Sequence, residues 1–308
     1  MKRIITSIFI FSSLILTAQD EAAPVESKWK KGGMASLTFN QVSLTNWAAG
    51  GQSSISGNAF VNLFANYKDE KQTWDNSLDL GYGLIRNNSQ PFVKSDDRIE
   101  LNSKYGRNIN KNWYYSGLLN FRTQFAAGYN IPNDSVLISD FLAPGYILLA
   151  LGFDFKPSDN FTLMLSPVTS KTTIVNNQTL ADAGAFGVEG AEFDALGNRV
   201  AAGKMMRNEI GAFLKLMYKK DIVENVNFQT KLDLFSNYIN NPQNIDVNWE
   251  TIVTMKINKF LSANFNTHLI YDDDINIAVD NNDDGITDAV GPRVQFKEVF
   301  GLGLSYKF

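Results

Sequence analysis

Apolar and polar residues alternate with a period of two through most of this 308-residue chain, and this pattern limits its fold more than any other feature. Successive side chains of a β-strand point to opposite faces, so the alternation predicts strands with one apolar and one polar face. Between residues 262 and 271, Phe265 and Leu269 share the apolar face, whereas Asn264 and His268 share the polar one. Beyond the first 20 or so residues no apolar stretch reaches the roughly 18 residues of a transmembrane helix.

The N-terminal residues predict export. Lys2 and Arg3 precede an apolar run, Ile4–Leu16, and small or polar residues follow it up to Gln19. This pattern is typical of a secretory signal peptide, and the run is too short to span a membrane. We therefore expect residues 1–19 to be a signal peptide, residues 20–32 a periplasmic tail and residues 33–308 the folded domain.

Composition excludes several kinds of site. The chain has no cysteine, which excludes a lipid-anchored cysteine, disulfides, thiolate metal sites and a cysteine nucleophile. It carries 28 Lys and Arg against 32 Asp and Glu. A basic surface for nucleic acid is therefore not expected, and we predict no nucleic-acid partner.

An exported chain with two-faced strands and no spanning helix predicts a closed barrel in the outer membrane of a Gram-negative bacterium. Only helices and closed barrels satisfy every backbone hydrogen-bonding group in lipid. The predicted fold is all-β, a transmembrane antiparallel up-and-down β-barrel of about twelve strands, with short periplasmic turns and long extracellular loops. The strands are expected near residues 33–45, 54–68, 72–87, 95–107, 112–127, 143–156, 160–175, 204–219, 226–239, 246–258, 261–272 and 294–308.

Outward-facing aromatic residues beside the short turns support a membrane barrel. Amphipathic rings favour the headgroup level of a bilayer, and a water-soluble β-sandwich would have no reason to collect them at one end of its strands. The predicted periplasmic girdle comprises Tyr67, Trp74, Tyr105, Trp113, Phe155, Phe161, Tyr218 and Phe228.

The first predicted hairpin reads Asn46-Trp47-Ala48-Ala49-Gly50-Gly51, and the strand after it contains Asn58 and Phe60. With the Ala18-Gln19 signal ending and the terminal Tyr306-Lys307-Phe308, the chain resembles the Bacteroidota outer-membrane family designated domain of unknown function 3078 (DUF3078). The resemblance extends over nearly all of the mature chain. It implies an outer-membrane barrel and supplies no established activity, so no catalytic residue follows from it.

The last long loop contains a candidate calcium motif. Residues 280–288 follow the pattern D-x-N-x-D-G-x-x-D, in which oxygen ligands at alternate positions can surround one hard cation. The ligands would be Asp280, Asn282, Asp284, the carbonyl of Ile286 and Asp288. The alternative is an acidic, solvated loop, and the motif lacks the glutamate at position twelve of a full EF-hand loop.

Charged residues of both signs fall on the predicted inward face. They predict either a polar channel with a transverse field or a ladder of ion pairs that braces or fills the bore. Inward-facing Phe60, Phe64, Tyr114, Phe213 and Phe235 favour a narrow or plugged lumen. The predicted luminal residues are Asp75, Asp79, Arg98, Glu100, Lys104, Arg122, Asp154, Glu209, Lys215, Lys231, Asp233, Glu250, Lys256, His268 and Lys297.

Catalysis is not indicated. His268 is the only histidine, it falls on the predicted inward face, and no Gly-x-Ser-x-Gly nucleophile motif accompanies it. We expect a non-enzymatic outer-membrane barrel, with lipid as its surroundings and a small polar solute or an envelope protein as its partner. It would be a narrow channel or, alternatively, a structural or interaction subunit of a larger outer-membrane complex. A barrel-embedded lipid hydrolase is the remote alternative.

Overall fold

The structure is a computed structural model that describes residues 27–44, 52–88, 90–130, 135–279 and 288–308. The predicted signal peptide, Trp47 and Gly50-Gly51 lie outside the described residues. Within them, no helix is both long and apolar enough to cross a bilayer.

Twelve antiparallel strands form one closed barrel, which confirms the predicted fold. Each strand pairs with its neighbours in the chain, and the first pairs with the last from Met34 opposite Lys307 to Phe39 opposite Leu302. The strands are β1 (Trp29–Val42), β2 (Ser54–Lys68), β3 (Gln72–Asn87), β4 (Val93–Asn108), β5 (Trp113–Thr123), β6 (Gly145–Ser158), β7 (Phe161–Ile174), β8 (Met206–Val223), β9 (Val226–Asn237), β10 (Ile245–Lys256), β11 (Leu261–Tyr271) and β12 (Gln295–Lys307).

Three strand boundaries differ by four residues from the predicted ones, and one of them is the end of β8, at Val223 instead of residue 219. β1 begins at Trp29, within the predicted periplasmic tail, because residues 29–33 pair with residues 63–67 of β2. β5 ends at Thr123, four residues before the predicted end. There Asp97 accepts hydrogen bonds from the backbone amides of Phe125 (2.7 Å) and Ala126 (3.0 Å), which replaces the ladder with side-chain contacts.

Short and long connections alternate, as the sequence predicts. Residues 69–71, 109–112, 159–160, 224–225 and 257–260 link strands at the short-turn end of the barrel. The long connections leave the opposite, long-loop end. Both ends of the barrel sequence, Trp29 and Lys307, lie at the short-turn end because the strand number is even.

The barrel wall has its charges inside and its apolar side chains outside. Asp154 and Asp79 are 0% and 1% exposed, whereas Leu151 and Leu304 are 65% and 60% exposed. A water-soluble protein almost never buries carboxylates while leaving large apolar residues exposed on successive strands. The final strand follows the prediction, since its apolar residues Phe300, Leu302, Leu304 and Tyr306 are all exposed.

Aromatic rings cluster on the outside of the short-turn end. Trp29 lies 5.3 Å from Tyr67 and 5.8 Å from Trp74 between ring centroids. Trp113 and Phe155 lie 4.9 Å apart. The hydroxyl of Tyr105 donates to Gln72 (2.7 Å), so this ring has one wet edge, as a bilayer interface requires.

The connection between β7 and β8 folds into a small structure at the long-loop end. It contains a short helix, α1 (Gln178–Asp182), a single 3₁₀ turn at Ala185–Gly187, and a two-stranded hairpin, Glu192–Phe193 with Arg199–Ala201. Buried Leu180 and Val188 pack with Ala143 of the neighbouring long loop. The Ala- and Gly-rich segment therefore packs against another loop, an outcome that its sequence left open.

Candidate functional site: the polar lumen

The candidate site is the inside of the barrel. Side chains alternate between the two faces of each strand, and every second one points into the lumen. Arg98, Glu100 and Lys104 are separated by even numbers of residues on β4, so all three point inward. Burying such charges is costly unless each has a partner of opposite sign.

An ion pair crosses the lumen between Arg98 of β4 and Glu250 of β10. These strands are six places apart in either direction round the ring of twelve, so the two residues approach from opposite walls. Arg98 donates to both carboxylate oxygens of Glu250; the Nη2–Oε2 distance is 3.2 Å, and Nη1 contacts Oε1. A second carboxylate, Glu100, lies 2.6 Å from Arg98 Nη2. The planar guanidinium can hold two carboxylates at once, which a lysine could not do with the same geometry.

A second ion pair crosses the lumen beside the first. Lys231 Nζ of β9 lies 3.2 Å from Asp79 Oδ2 of β3, and these strands are also six places apart. Asp79 in addition contacts Asn62 and lies 3.7 Å from Arg98 Nη2. Both cross-lumen pairs therefore belong to one network at mid-height.

Several of the other predicted charges pair with residues on strands one to three places away in the ring. Lys215 and Asp233 face each other on β8 and β9, with Nζ 2.9 Å from Oδ1. Nearer the short-turn end, Lys104 Nζ lies 2.7 Å from the fully buried carboxylate of Asp154. Asp75 pairs with Lys156 at 2.7 Å.

Lys171 and Arg207 were missed by the sequence analysis, although both point inward near the long-loop end. Lys171 Nζ lies 2.6 Å from Asp246 Oδ2 and 3.1 Å from Asp272 Oδ2. Predicted Glu209 is within 2.9 Å of Arg207 and 3.6 Å of Lys171. Three acidic residues, Glu209, Asp246 and Asp272, thus surround Lys171 and Arg207 near the long-loop end of the lumen.

A β-bulge explains why simple alternation misplaced Lys171. On β7, Met164 and Ser166 point inward, and then Pro167 and Val168 both point outward. The register against β6 shifts at this point. One extra residue inverts the parity, so that odd-numbered residues face the lumen from Thr169 onward. A proline in the middle of a strand pattern was the available signal, because proline within sheets is confined largely to edges and bulges.

Of the remaining predicted luminal residues, His268, Lys256 and Arg122 form no ion pair with the described residues, whereas Lys297 does. His268 Nε2 lies 2.6 Å from Asn248 Oδ1 on the neighbouring strand. Lys256 is exposed on the inward face at the short-turn end. Arg122 forms no ion pair with any residue that the structure describes; its guanidinium lies 5.6 Å from the centre of the Tyr146 ring. Lys297 pairs with Asp96 at 2.6 Å.

Apolar side chains fill the part of the lumen along β5 to β9. Met164 is fully buried, and it packs with Leu118, Leu148, Phe213 and Phe235. Tyr114 is buried, and Lys156 Nζ lies 5.4 Å from the centre of its ring. The apolar cluster and the mid-height ion pairs together occupy part of the lumen.

A cavity of about 450 Å³ remains inside the barrel beside the mid-height network. Its walls include Arg122 and Tyr146 on one side, Asn266, His268 and Lys297 on the other, and the cross-lumen Arg98–Glu250 pair. Its size lies within the range of small-molecule sites, roughly 300–1,000 Å³.

The candidate calcium motif is outside the described residues except for Asp288, whose backbone amide donates to the Val279 carbonyl (2.8 Å). Among the described residues, no group of three or more His, Asp or Glu is arranged to hold a metal ion. The calcium hypothesis therefore stays a prediction.

Comparisons with known proteins find one family model that matches part of the chain and several similar solved structures. Residues 39–129 match a family model described as a protein of unknown function (DUF3078), which confirms the sequence resemblance over that part of the chain. A comparison with curated proteins finds no match.

Solved structures similar to the chain include an outer membrane channel from Pseudomonas putida F1, with 13% identity, a TM-score of 0.37 and coverage of 93% of this chain and 99% of that one. The translocator domain of the autotransporter NalP from Neisseria meningitidis has 8% identity, a TM-score of 0.34 and coverage of 91% and 88%. The NanC porin has 7% identity, a TM-score of 0.37 and coverage of 90% and 100%.

Proposed function

We propose that this protein is a non-enzymatic outer-membrane barrel of a Gram-negative bacterium of the Bacteroidota, exported by its signal peptide. The observation that supports this location is the inverted sidedness of the wall: carboxylates such as Asp79 and Asp154 are buried, and residues such as Leu151 and Leu304 are exposed. An apolar outer belt is stable in hydrocarbon and would aggregate in water. The protein should therefore require detergent for extraction, and recovery from a detergent-free periplasmic fraction would contradict the location.

Within the membrane, the barrel passes small polar solutes through a narrow lumen that ion pairs constrict. The supporting observation is that charged groups, rather than a continuous apolar plug, meet at the middle of the bore. Arg98 with Glu250, and Lys231 with Asp79, close it from opposite walls. Charged constrictions of this kind act on permeating solutes by their field and can open when side chains separate.

Single-channel conductance measurements in planar bilayers test this function. The wild-type protein should give small, salt-dependent current steps, and the double variant Arg98→Ala, Glu250→Ala should give steps several-fold larger, because a cross-lumen barrier is gone. The matched control is Lys215→Ala, Asp233→Ala, which removes an ion pair between neighbouring strands. Its conductance should stay near that of the wild type.

A structural or interaction subunit with a plugged lumen is the second candidate. It is favoured by the buried apolar cluster around Met164 and Phe213, which occupies part of the bore. Under this alternative the wild-type protein and both double variants would carry no current, and the protein would co-purify with an envelope protein through its long loops.

Lipid hydrolysis is the remote alternative. The contact between His268 and the Asn248 amide supports a structural role for this histidine, because an amide is not a nucleophile. Purified protein in phospholipid vesicles should release no fatty acid, and release that disappears in His268→Ala would overturn this part of the proposal.

Calcium in the loop of Asp280, Asn282, Asp284, Ile286 and Asp288 is part of the same proposal, on the basis of the sequence motif alone. Added calcium should slow protease cleavage within residues 280–288. Identical cleavage with calcium and with a chelator would contradict it.

A further inference from the structure

We infer that the luminal cavity is a binding site for a small organic acid, with Arg122 as the residue that holds its carboxylate. This site would determine which solutes the proposed channel accepts, and only that consequence rests on the proposed function. Binding itself needs nothing more than the folded barrel.

Arg122 is an inward-facing cation that forms no ion pair with the described residues. The other inward-facing cations of the ion-pair networks, such as Arg98, Lys171 and Lys231, each lie within 3.2 Å of a carboxylate oxygen. Arg122 has no such partner in the described part of the chain, and its buried Nε atom has no hydrogen-bond acceptor. A guanidinium inside the barrel without a carboxylate partner is costly, so the cavity that Arg122 lines is suited to a ligand that supplies one.

The nearest carboxylate by strand register forms no hydrogen bond with Arg122. Glu100 lies opposite Arg122 in the pairing of β4 with β5. Its Oε2 atom is 2.6 Å from Arg98, and its Oε1 atom accepts hydrogen bonds of 3.1 Å from Asn102 and Asn120. Both oxygens are therefore engaged elsewhere.

Tyr146 fixes the orientation of the site. Its ring lies under the Arg122 guanidinium at 5.6 Å, a cation–π contact that restrains the side chain without neutralising its charge. A guanidinium held in this way is preorganised to bind a carboxylate with two parallel hydrogen bonds.

The opposite wall presents an acceptor that also lacks a partner. Asn266 of β11 lines the same cavity, and its Oδ1 atom is buried without a hydrogen-bond donor. β5 and β11 are six places apart round the ring, so Arg122 and Asn266 line the cavity from opposite walls. The ligand should therefore carry a carboxylate at one end and a hydroxyl, amine or amide N–H donor at the other. Hydroxy acids, sugar acids and amino acids have this chemistry.

Calorimetric titration of the full-length protein in detergent tests the inference with three probes. D-gluconate has both groups, D-glucose has the hydroxyls alone, and butanoate has the carboxylate alone. Gluconate should bind more tightly than either of the others. Absence of gluconate binding at millimolar concentrations, or equal binding of glucose, would overturn the assignment of Arg122.

Variants test the two ends separately. Arg122→Gln should weaken gluconate binding about tenfold or more, since a hydrogen bond to a charged group is lost. Asn266→Leu should weaken it by about threefold or more. The matched control is Arg86→Gln, because Arg86 also stacks on an aromatic ring, Phe92 at 4.9 Å, but is exposed and does not line the cavity.

Each variant must first show the circular dichroism and heat-dependent gel migration of the folded wild-type barrel. Unchanged gluconate affinity in folded Arg122→Gln would overturn the inference, and so would equal losses in Arg122→Gln and Arg86→Gln. The conductance of the Arg98→Ala, Glu250→Ala variant is measured in simple salt and does not depend on gluconate. A wrong assignment of the ligand class can therefore be distinguished from a wrong assignment of the channel function.

Discussion

Arg98 and Glu250 join opposite walls of the barrel through two hydrogen bonds, although 152 residues separate them in the chain. In a ring of strands held together by nearest-neighbour ladders, such a contact ties together elements that share no backbone hydrogen bond. It stabilises the cross-section of the barrel as well as narrowing its bore.

Loss of the Glu250 charge should destabilise the barrel. Glu250→Gln leaves Arg98 without its cross-lumen carboxylate and should lower the free energy of unfolding by about 1.5–3 kcal/mol, the range for a hydrogen bond to a charged group. Asp159→Asn is the matched control. Its pair with Lys68, at 3.7 Å, is exposed and should contribute less than about 1 kcal/mol. Urea unfolding in detergent measures both, and equal effects would contradict a structural role for the cross-lumen pair.

A charge on the outer belt should prevent stable insertion. Leu151 is 65% exposed at the middle of β6, and Leu151→Arg should cost about 2–4 kcal/mol in a bilayer. The control Leu196→Arg changes a residue that is even more exposed, 87%, but lies in the long loop before β8. It should change stability by less than about 0.5 kcal/mol. Unfolding in lipid vesicles distinguishes the two sites, and a tolerated Leu151→Arg would argue for a water-soluble barrel.

Gly211 should not tolerate a larger residue. A Cβ atom there would collide with the Ser236 carbonyl oxygen and lie 2.9 Å from the Phe235 ring. Because the blocking atom belongs to the backbone of the paired strand, Gly211→Ala should cost about 1–3 kcal/mol. Gly57→Ala is the control, since its nearest neighbour, the Thr38 carbonyl oxygen, is 3.6 Å away. The yield of heat-modifiable barrel after refolding compares them, and equal yields would contradict the close packing of β8 on β9.

Asp182 should hold the loop before β8 closed. Its Oδ1 atom accepts hydrogen bonds from the Gly203 amide (2.8 Å) and Gln178 Nε2 (2.7 Å), and its Oδ2 atom contacts Arg199. Asp182→Asn should speed trypsin cleavage at Arg199. The control Glu189→Gln alters an exposed pair with Lys204 and should leave the cleavage rate nearly unchanged.

Acid should open the same contact. The hydrogen bond from the Gly203 amide, followed by that from Gln178, lowers the pKa of Asp182 below its ordinary value of 3.8. A lowered folded-state pKa means that the stabilisation is complete above the ordinary pKa and is lost as the pH falls through the lowered one. The NMR shift of the Gly203 amide proton should therefore stay constant down to about pH 4 and move only in stronger acid. A midpoint above pH 4 would contradict the direction of the shift.

The candidate site was only partly predictable. Alternation placed Arg98, Glu100, Lys215 and Glu250 inward, because parity is a local property of each strand. It could not place Lys171, since the bulge at Pro167 and Val168 reversed parity in the middle of β7. It also did not distinguish Arg122 from its paired neighbours, because availability depends on where the oxygens of Glu100 point.

The sequence by itself determined the closed all-β fold, the strand number and the sidedness of the wall, because side-chain alternation and turn residues act over a few neighbouring positions. Only the tertiary structure decided which charges meet. Asp79 and Lys231 lie 152 residues apart in the chain, and their contact depends on the stagger of twelve strands around a closed ring. That stagger is a property of the whole barrel, so no local pattern encodes the resulting network or the cavity beside it.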